Sequence, residues 1–253
     1  MLIDSHCHLY LDEFKPDLED VIIRAGAAGI NKFYLPAIDS STTNAMLLLE
    51  QQYPGVCIPM IGLHPCSVKN DHSHEMVLIK NWLEKRKFAA IGEIGLDFYW
   101  DKTFAAEQYQ VFNEQIELAI LHELPIVIHT REAMAETISV VKAFNGRVKG
   151  VFHCFGGSMD EAKQIIELGF YLGIGGVVTY KKSGLSEVIK EIDLEHIVLE
   201  TDAPFLTPVP FRGKRNESSY LRFICEKVAE VKKITIEEVE AITTANATKI
   251  FAC

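Results

Sequence analysis

Six residues of the types that bind divalent cations stand at the ends of apolar runs in this chain: His6 and His8, then Glu93, His129, His153 and Asp202. Imidazole and carboxylate ligands together accept Zn, Mn or Mg. His6 and His8 flank Cys7. Side chains alternate along a strand, so the two imidazoles share a face and can chelate one ion, while Cys7 turns away as a packed thiol. Glu93 lies in the apolar stretch Ile91-Gly92-Glu93-Ile94-Gly95, where a carboxylate must be paired or bound to metal. Its two oxygens can join two cations about 3.5–4 Å apart. His129 and His153 would complete the second site, and Asp202 can reach the first ion and its water. Each has an ordinary alternative: an ion pair for Glu93, structural histidines, and a helix cap or turn former for Asp202. Two cations held in this way lower the pKa of a bound water from about 15.7 towards neutrality and clamp both oxygens of an in-line displacement. That is the chemistry of a hydrolase.

Such a set needs a scaffold that brings distant strand ends together. Apolar runs begin near Leu2, Asn31, Val56, Ala89, Pro125, Lys149, Phe170 and His196, spaced by 21 to 36 residues, the length of a βα unit. Amphipathic segments intervene: Leu18, Val21, Ile22 and Ala25 repeat on one face, as do Phe112, Ile116, Ala119 and Ile120 within 104–122. Eight such units predict a (β/α)₈ TIM barrel over residues 1–253, with extra C-terminal helices near 220–232 and 236–251. In that fold all strand C-termini share one mouth, and the six ligands meet there. A doubly wound sheet is the rival, but its Gly-rich turn is missing, since the first run ends in His-Cys-His. Gly173, Gly175 and Gly176 read as a close backbone approach rather than a nucleotide loop.

Bulk properties narrow the partners. With 25 basic and 35 acidic residues the net charge is −10, which argues against a broad polyanion-binding groove and for a confined site where cations reverse the field. Six cysteines without a C-x-x-C pair read as reduced thiols. No leader is expected before Asp4, no run can span a bilayer and Cys253 is not a prenylation site, so a cytoplasmic protein with no membrane role is expected.

The motifs Asp4-Ser5-His6-Cys7-His8, Gly62-Leu63-His64-Pro65, Gly92-Glu93-Ile94-Gly95-Leu96-Asp97, Ile128-His129-Thr130-Arg131, Phe152-His153-Cys154-Phe155 and Glu200-Thr201-Asp202-Ala203-Pro204 together resemble the TatD family of metal-dependent deoxyribonucleases, over residues 4 to about 217. The resemblance implies one metal on His6, His8 and Asp202, a second on His129 and His153, Glu93 as the bridge and Asp202 also as proton acceptor. It further implies DNA, single-stranded or at strand ends, as substrate and 3′ to 5′ exonuclease action. Where the family often has proline, this chain has Ser218; Ser218 or Ser219 is expected to cap the next helix instead. His64, Arg212, Lys214 and Arg215 are candidate phosphate contacts, against a loop cap for the first and a solvated turn for the rest. Glu200 either orients a ligand by hydrogen bonding or packs, and His72, His74, His122 and His196 are expected to be solvated. Two other functions fit the residues: a small-molecule amide or lactone hydrolase on the same barrel, and a non-catalytic metal or partner-binding protein. Open coordination positions speak against the latter, and the basic turn favours phosphate over carbonyl.

Overall fold

The computed structural model describes residues 1–252. Eight short strands rich in β-branched and aromatic residues follow the expected rhythm: β1 (Leu2–Asp4), β2 (Ile30–Leu35), β3 (Cys57–Pro59), β4 (Ile91–Asp97), β5 (Ile126–Arg131), β6 (Gly150–Phe152), β7 (Tyr171–Ile174) and β8 (Ile197–Leu199). Between them run α1 (Leu18–Ala27), α2 (Ser40–Gln52), α3 (His72–Lys85), α4 (Ala105–Leu121), α5 (Met134–Ala143), α6 (Met159–Glu167) and α7 (Leu185–Glu191). The chain ends in α8 (Leu221–Lys232) and α9 (Ile236–Ile250). Ser158 with Glu161 and Thr235 with Glu238 form capping boxes that start α6 and α9, each satisfying two otherwise orphaned backbone groups.

All strand pairs are parallel, in sheets ordered β1-β2-β3 and β4-β5-β6-β7-β8. Two seams join the sheets into a TIM barrel. Cys7 bridges Ala203, flanked by Ser5 N–H to Leu199 O (3.1 Å) and Asp202 N–H to His6 O (2.9 Å). Ile61 bridges Ile91, with Gly92 N–H donating to Ile61 O (2.9 Å). Successive strand residues divide between two apolar clusters. Leu2, Phe33, Leu35, Ile126, Ile128, Phe152, Ile197 and Leu199 pack outward under the helices. Ile3, Tyr34, Val127, Val151 and Val198 pack together inside, where Ala247 and Phe251 from the end of the chain join them. Phe251 stacks on Tyr34 with centroids 4.3 Å apart. The last helix thus stops one end of the barrel and leaves the other for chemistry.

Neither Ser218 nor Ser219 caps a helix: a short 3-10 turn over Ser218–Tyr220 leads into α8 with no side-chain cap at either start. The buried Ser218 hydroxyl donates to Asp4 Oδ2 (2.6 Å) and that of Ser219 to Glu217. The Ser218 hydroxyl is thus held by a buried carboxylate, whose unpaired burial would cost more than an uncapped helix end, and its oxygen is not offered to the helix N–H groups.

Gly95 lies opposite His129 in the β4–β5 register. Its φ is +144°, and a Cβ there would stand 1.9 Å from His129 O. The strands approach so closely at the mouth only because that Cβ is missing. Gly95→Ala is therefore expected to cost roughly 3 kcal/mol or more, whereas Gly26→Ala inside α1, whose Cβ would meet only Asn31 Oδ1 at 3.9 Å, should gain about 0.5–1 kcal/mol. Urea unfolding of the two variants measures both.

Candidate metal centre

The six expected ligands meet at the C-terminal mouth, on a cavity of about 780 Å³ whose lining includes His8, His64, Glu93, His129, His153 and Asp202. Glu93 is almost fully buried and divides its oxygens. Oε2 lies 3.1 Å from His6 Nε2 and 3.6 Å from His8 Nε2. Oε1 lies 2.9 Å from both His129 Nδ1 and His153 Nε2. Asp202 Oδ1 completes the first group, 3.7 Å from His6 Nε2 and 3.6 Å from His8 Nε2. Tetrahedral ligation at about 2.0–2.2 Å gives donor–donor edges of about 3.3–3.6 Å, so this quartet has the dimensions of a metal cage. The His6 and His153 rings stack at 3.8 Å, which sets the two groups side by side.

Hydrogen bonds on the far side of the His8, His129 and His64 rings decide which of their nitrogens faces Glu93. Tyr10 Oη donates to Pro36 O (2.6 Å), so it accepts from His8 Nδ1 (2.9 Å) and leaves Nε2 with the lone pair. Asp97 Oδ2 accepts from His129 Nε2 (2.9 Å), freeing Nδ1 towards Glu93. His64 is the opposite case: its Nδ1 accepts from Cys66 N–H (3.0 Å), so Nε2 carries hydrogen and points it at Glu93 Oε1, 3.4 Å away. His64 could be grouped with Glu93 and His129 by proximity, but as a donor it suits a substrate oxygen, and it caps its loop with its other nitrogen. Glu200 Oε1 lies 3.3 Å from His153 Nδ1 and accepts from Cys154 N–H. Gly173 makes room for it, since a Cβ there would be 2.3 Å from Glu200 Oε2, in keeping with a close backbone approach.

Burial pushes the Glu93 carboxyl up, but the charges of His153, His64 and His6 outweigh it and hold Glu93 well below the usual carboxylate range. Asp202 is also lowered, its burial offset by its contact with His8 and the charges of nearby histidines. Burial and the charge of His153 lower His6. Burial also opposes protonation of His153, yet Glu93 and Glu200 together raise it. Glu93 and Asp202 are therefore charged, and a divalent cation entering beside them would displace the protons that the neighbouring imidazoles hold.

The supporting residues were mostly invisible in the sequence. Gln108 and Gln115, seven apart on the buried face of α4, clamp the backbone at the site's edge. Gln108 accepts from Asp97 N–H (2.9 Å) and donates to Asp97 O (3.2 Å); Gln115 accepts from Leu63 N–H (2.7 Å) and donates to Leu63 O (3.2 Å). Two polar residues interrupting the stripe of Phe112, Ile116 and Ala119 were the available signal. Asp97 shares the alternation of Glu93 along β4 and could have been found the same way. Asp4 accepts from Thr201 N–H (2.9 Å) and Thr201 Oγ1 (2.6 Å), fixing the residue before Asp202; burial pushes its carboxyl up to about 7 in spite of these donors. Asp202 itself has φ +56°, a conformation that Asp tolerates better than most residues.

The basic turn departs from expectation: Arg212, Lys214 and Arg215 do not line the cavity. Arg215 forks onto Asp17 (2.7 and 2.8 Å) and donates to Glu13 O, Arg212 lies over Tyr180, and Lys214 over Phe211. Glu217 pairs with Arg24 (2.6 Å), and Asn216 donates to Thr201 O and Phe205 O. Asp17, just before α1, satisfies Arg215, and Arg24 on α1 satisfies Glu217, so the turn braces the loop after β8. Among the described residues, Arg131 is the only Lys or Arg in the cavity lining. His72, His122 and His196 are half-buried and His74 is exposed, none of them at the mouth. Cys7, Cys57, Cys66, Cys154 and Cys225 are free thiols, and Cys7 is buried with its Sγ 3.8 Å from Tyr34 O; Cys253 lies outside the described residues. No helix of the described residues is long and apolar enough to cross a membrane.

A barrel with imidazoles and carboxylates gathered at its C-terminal mouth defines the class of metal-dependent hydrolases. The family model for TatD related DNase matches residues 3–252, and the chain belongs to the TatD family. It is 40% identical to the metal-dependent hydrolase YabD of Bacillus subtilis over 253 residues, 99% of each chain. Its fold superposes on the TatD homologue YjjV of Escherichia coli K12 with a TM-score of 0.94 at 30% identity, over 100% of this chain and 98% of that one. A TatD family hydrolase from Entamoeba histolytica, 22% identical over 98% and 97% of the two chains, shares the fold at a TM-score of 0.82.

Asp97 holds the His129 ring from behind, and removing such partners typically costs about 10–100-fold in metal affinity. Asp97→Ala is expected to weaken metal binding by that order in a chelator competition titration, and Asp97→Asn, which keeps an acceptor for His129 Nε2–H, by less. Equal affinity in both variants and the parent would leave Asp97 with only a packing role.

Proposed function

We propose that this chain is a deoxyribonuclease that hydrolyses DNA phosphodiester bonds with two divalent cations, trimming a strand from its 3′ end. The observation that carries the reading is the division of Glu93, with Oε2 among one set of ring nitrogens and Oε1 among another. On this reading His6, His8 and Asp202 hold one cation, His129 and His153 the other, and Glu93 belongs to both. The chemistry such a pair supplies when bound is polarisation of a phosphoryl oxygen and acidification of the attacking water.

The chain's own groups do the rest. Asp202 belongs to the first set and is buried, yet it lines the cavity, and its carboxylate accepts the proton of the attacking water. His64 Nε2–H and the Arg131 guanidinium line the same cavity and donate to phosphate oxygens. Tyr10, Asp97 and Glu200 fix the rings, so that little reorganisation accompanies the reaction. A phosphodiester suits the site because an acidic chain of net charge −10 can accept an anion only where bound cations and Arg131 reverse the field. The family's description as TatD related DNase supports the same substrate.

End-labelled single-stranded DNA incubated with Mg, Mn or Zn, beside a panel of lactones and cyclic amides, tests the reading: a ladder of products shortening from the 3′ end is expected, with no turnover of the panel. Turnover of a lactone or amide with intact DNA would overturn it. Asp202→Asn keeps one ligating oxygen but cannot take the proton, so single-turnover cleavage at saturating metal should fall by about 10²–10⁴-fold. Full recovery on adding metal would make Asp202 a ligand only. Glu93→Ala should lose metal from both sites in elemental analysis.

A further inference from the structure

The rim of the mouth carries apolar surface that the metal chemistry does not use. Trp100, on the loop after β4, is 68% exposed, and Phe205, on the loop after β8, is 49% exposed. Both line the metal cavity. Four strands apart in an eight-stranded barrel, the two loops stand on opposite sides. Nothing in the packing requires either ring to face water, and large exposed aromatics beside a polar site mark a binding surface.

Each ring is held in place. Asp97 Oδ1 accepts from Tyr99 N–H (2.9 Å) and Trp100 N–H (3.2 Å), fixing the loop that presents the indole. Tyr99 packs edge-on against Trp100 at 4.8 Å, and the Arg131 guanidinium lies 3.8 Å from the Tyr99 centroid and 5.1 Å from that of Trp100. Phe205 lies 6.1 Å from the His8 ring, and its carbonyl accepts from buried Asn216. These are preorganised platforms beside a phosphate-reactive centre. The surrounding chain has too little positive charge to track a nucleic-acid backbone, so affinity for the rest of a substrate must come from elsewhere.

We propose that Trp100 and Phe205 are stacking platforms for unpaired nucleobases flanking the scissile phosphate, and that they select single-stranded ends. Every base has a π-face, so stacking is tolerant of sequence. A base within a duplex has its faces covered by neighbours, so only a frayed or single-stranded end offers one. Arg131 pairs with the phosphate from the edge of the Trp100 platform. The inference rests on the deoxyribonuclease reading and adds the groups that position its substrate.

The test uses the metal-loaded enzyme and two oligodeoxynucleotides, one intact and one with abasic sites replacing its terminal two nucleotides at the cleaved end. Trp100→Ala is expected to raise KM on the intact strand about tenfold, within the range for one lost stack, with a much smaller change in kcat. Trp100→Phe should recover most of the loss, and Phe205→Ala should behave like Trp100→Ala. The abasic strand should cost the parent enzyme a similar factor and cost Trp100→Ala little more, because the partner of the missing base is already gone. An unchanged KM in Trp100→Ala, or an equal abasic penalty in parent and variant, would overturn the proposal. A parent enzyme that cleaves no DNA would sink the deoxyribonuclease reading separately. Stacking would then be read by fluorescence, since Trp82 is the only other tryptophan: quenching by the intact strand that is absent in Trp100→Phe supports the platform, and no quenching refutes it.

Discussion

A carboxylate as deeply buried as Glu93, which is 2% exposed, imposes a demand that much of the molecule meets. Taking an ionised carboxylate out of water costs several kcal/mol even after relaxation, and an apolar strand has nothing to repay it. Five imidazoles, His6, His8, His64, His129 and His153, each bring a nitrogen within 3.6 Å of a Glu93 oxygen. Repayment comes from the ring protons or, where a lone pair faces the carboxylate, would come from a cation held between the two. Five histidines around one carboxylate create a second demand, because their rings must be turned so that lone pairs and hydrogens do not conflict. Tyr10, Asp97, Glu200 and the amide of Cys66 answer it from behind the rings. Gln108 and Gln115 then anchor the backbone of Asp97 and of Leu63, the residue before His64. From the carboxylate outward, each shell exists to keep the one inside it from moving.

The same logic places the barrel seams. Asp202 belongs to the loop after β8 and His6 to that after β1, and the bond from Asp202 N–H to His6 O closes the barrel between them. One hydrogen bond therefore serves both barrel closure and the spacing of two members of the site. Positive charge is distributed with equal economy: Arg24 and Arg215 are committed to Glu217 and Asp17, and Arg131 alone among the lysines and arginines of the described residues reaches the cavity.

Much of this was legible in the sequence because it follows simple periods. Strand starts were read to within two residues, since each strand is a short apolar run with a helix before the next, and the six ligand positions follow from strand ends in a barrel. What stayed hidden depends on contacts between distant residues. Glutamines on a helix face look like interruptions until the backbone they hold is known. Arg215 looks like a phosphate ligand until Asp17, nearly two hundred positions earlier, is seen beside it. Ser218 looks like a cap because its competitor, Asp4, is at the far end of the chain. His6 and His8 illustrate a third case: the expected pairing of their rings holds, with centroids 5.1 Å apart, although β1 ends at Asp4 and both lie in the loop beyond it.

The proposed division of one carboxylate between two cations is the centre of this picture, and crystallography can see it directly. Crystals grown with Mn or Zn and measured on either side of the metal's absorption edge should show two anomalous peaks per chain, about 3.5–4 Å apart, one against Glu93 Oε2 with His6, His8 and Asp202, the other against Oε1 with His129 and His153. A single peak at saturating metal, or a second peak out of reach of Glu93, would contradict it.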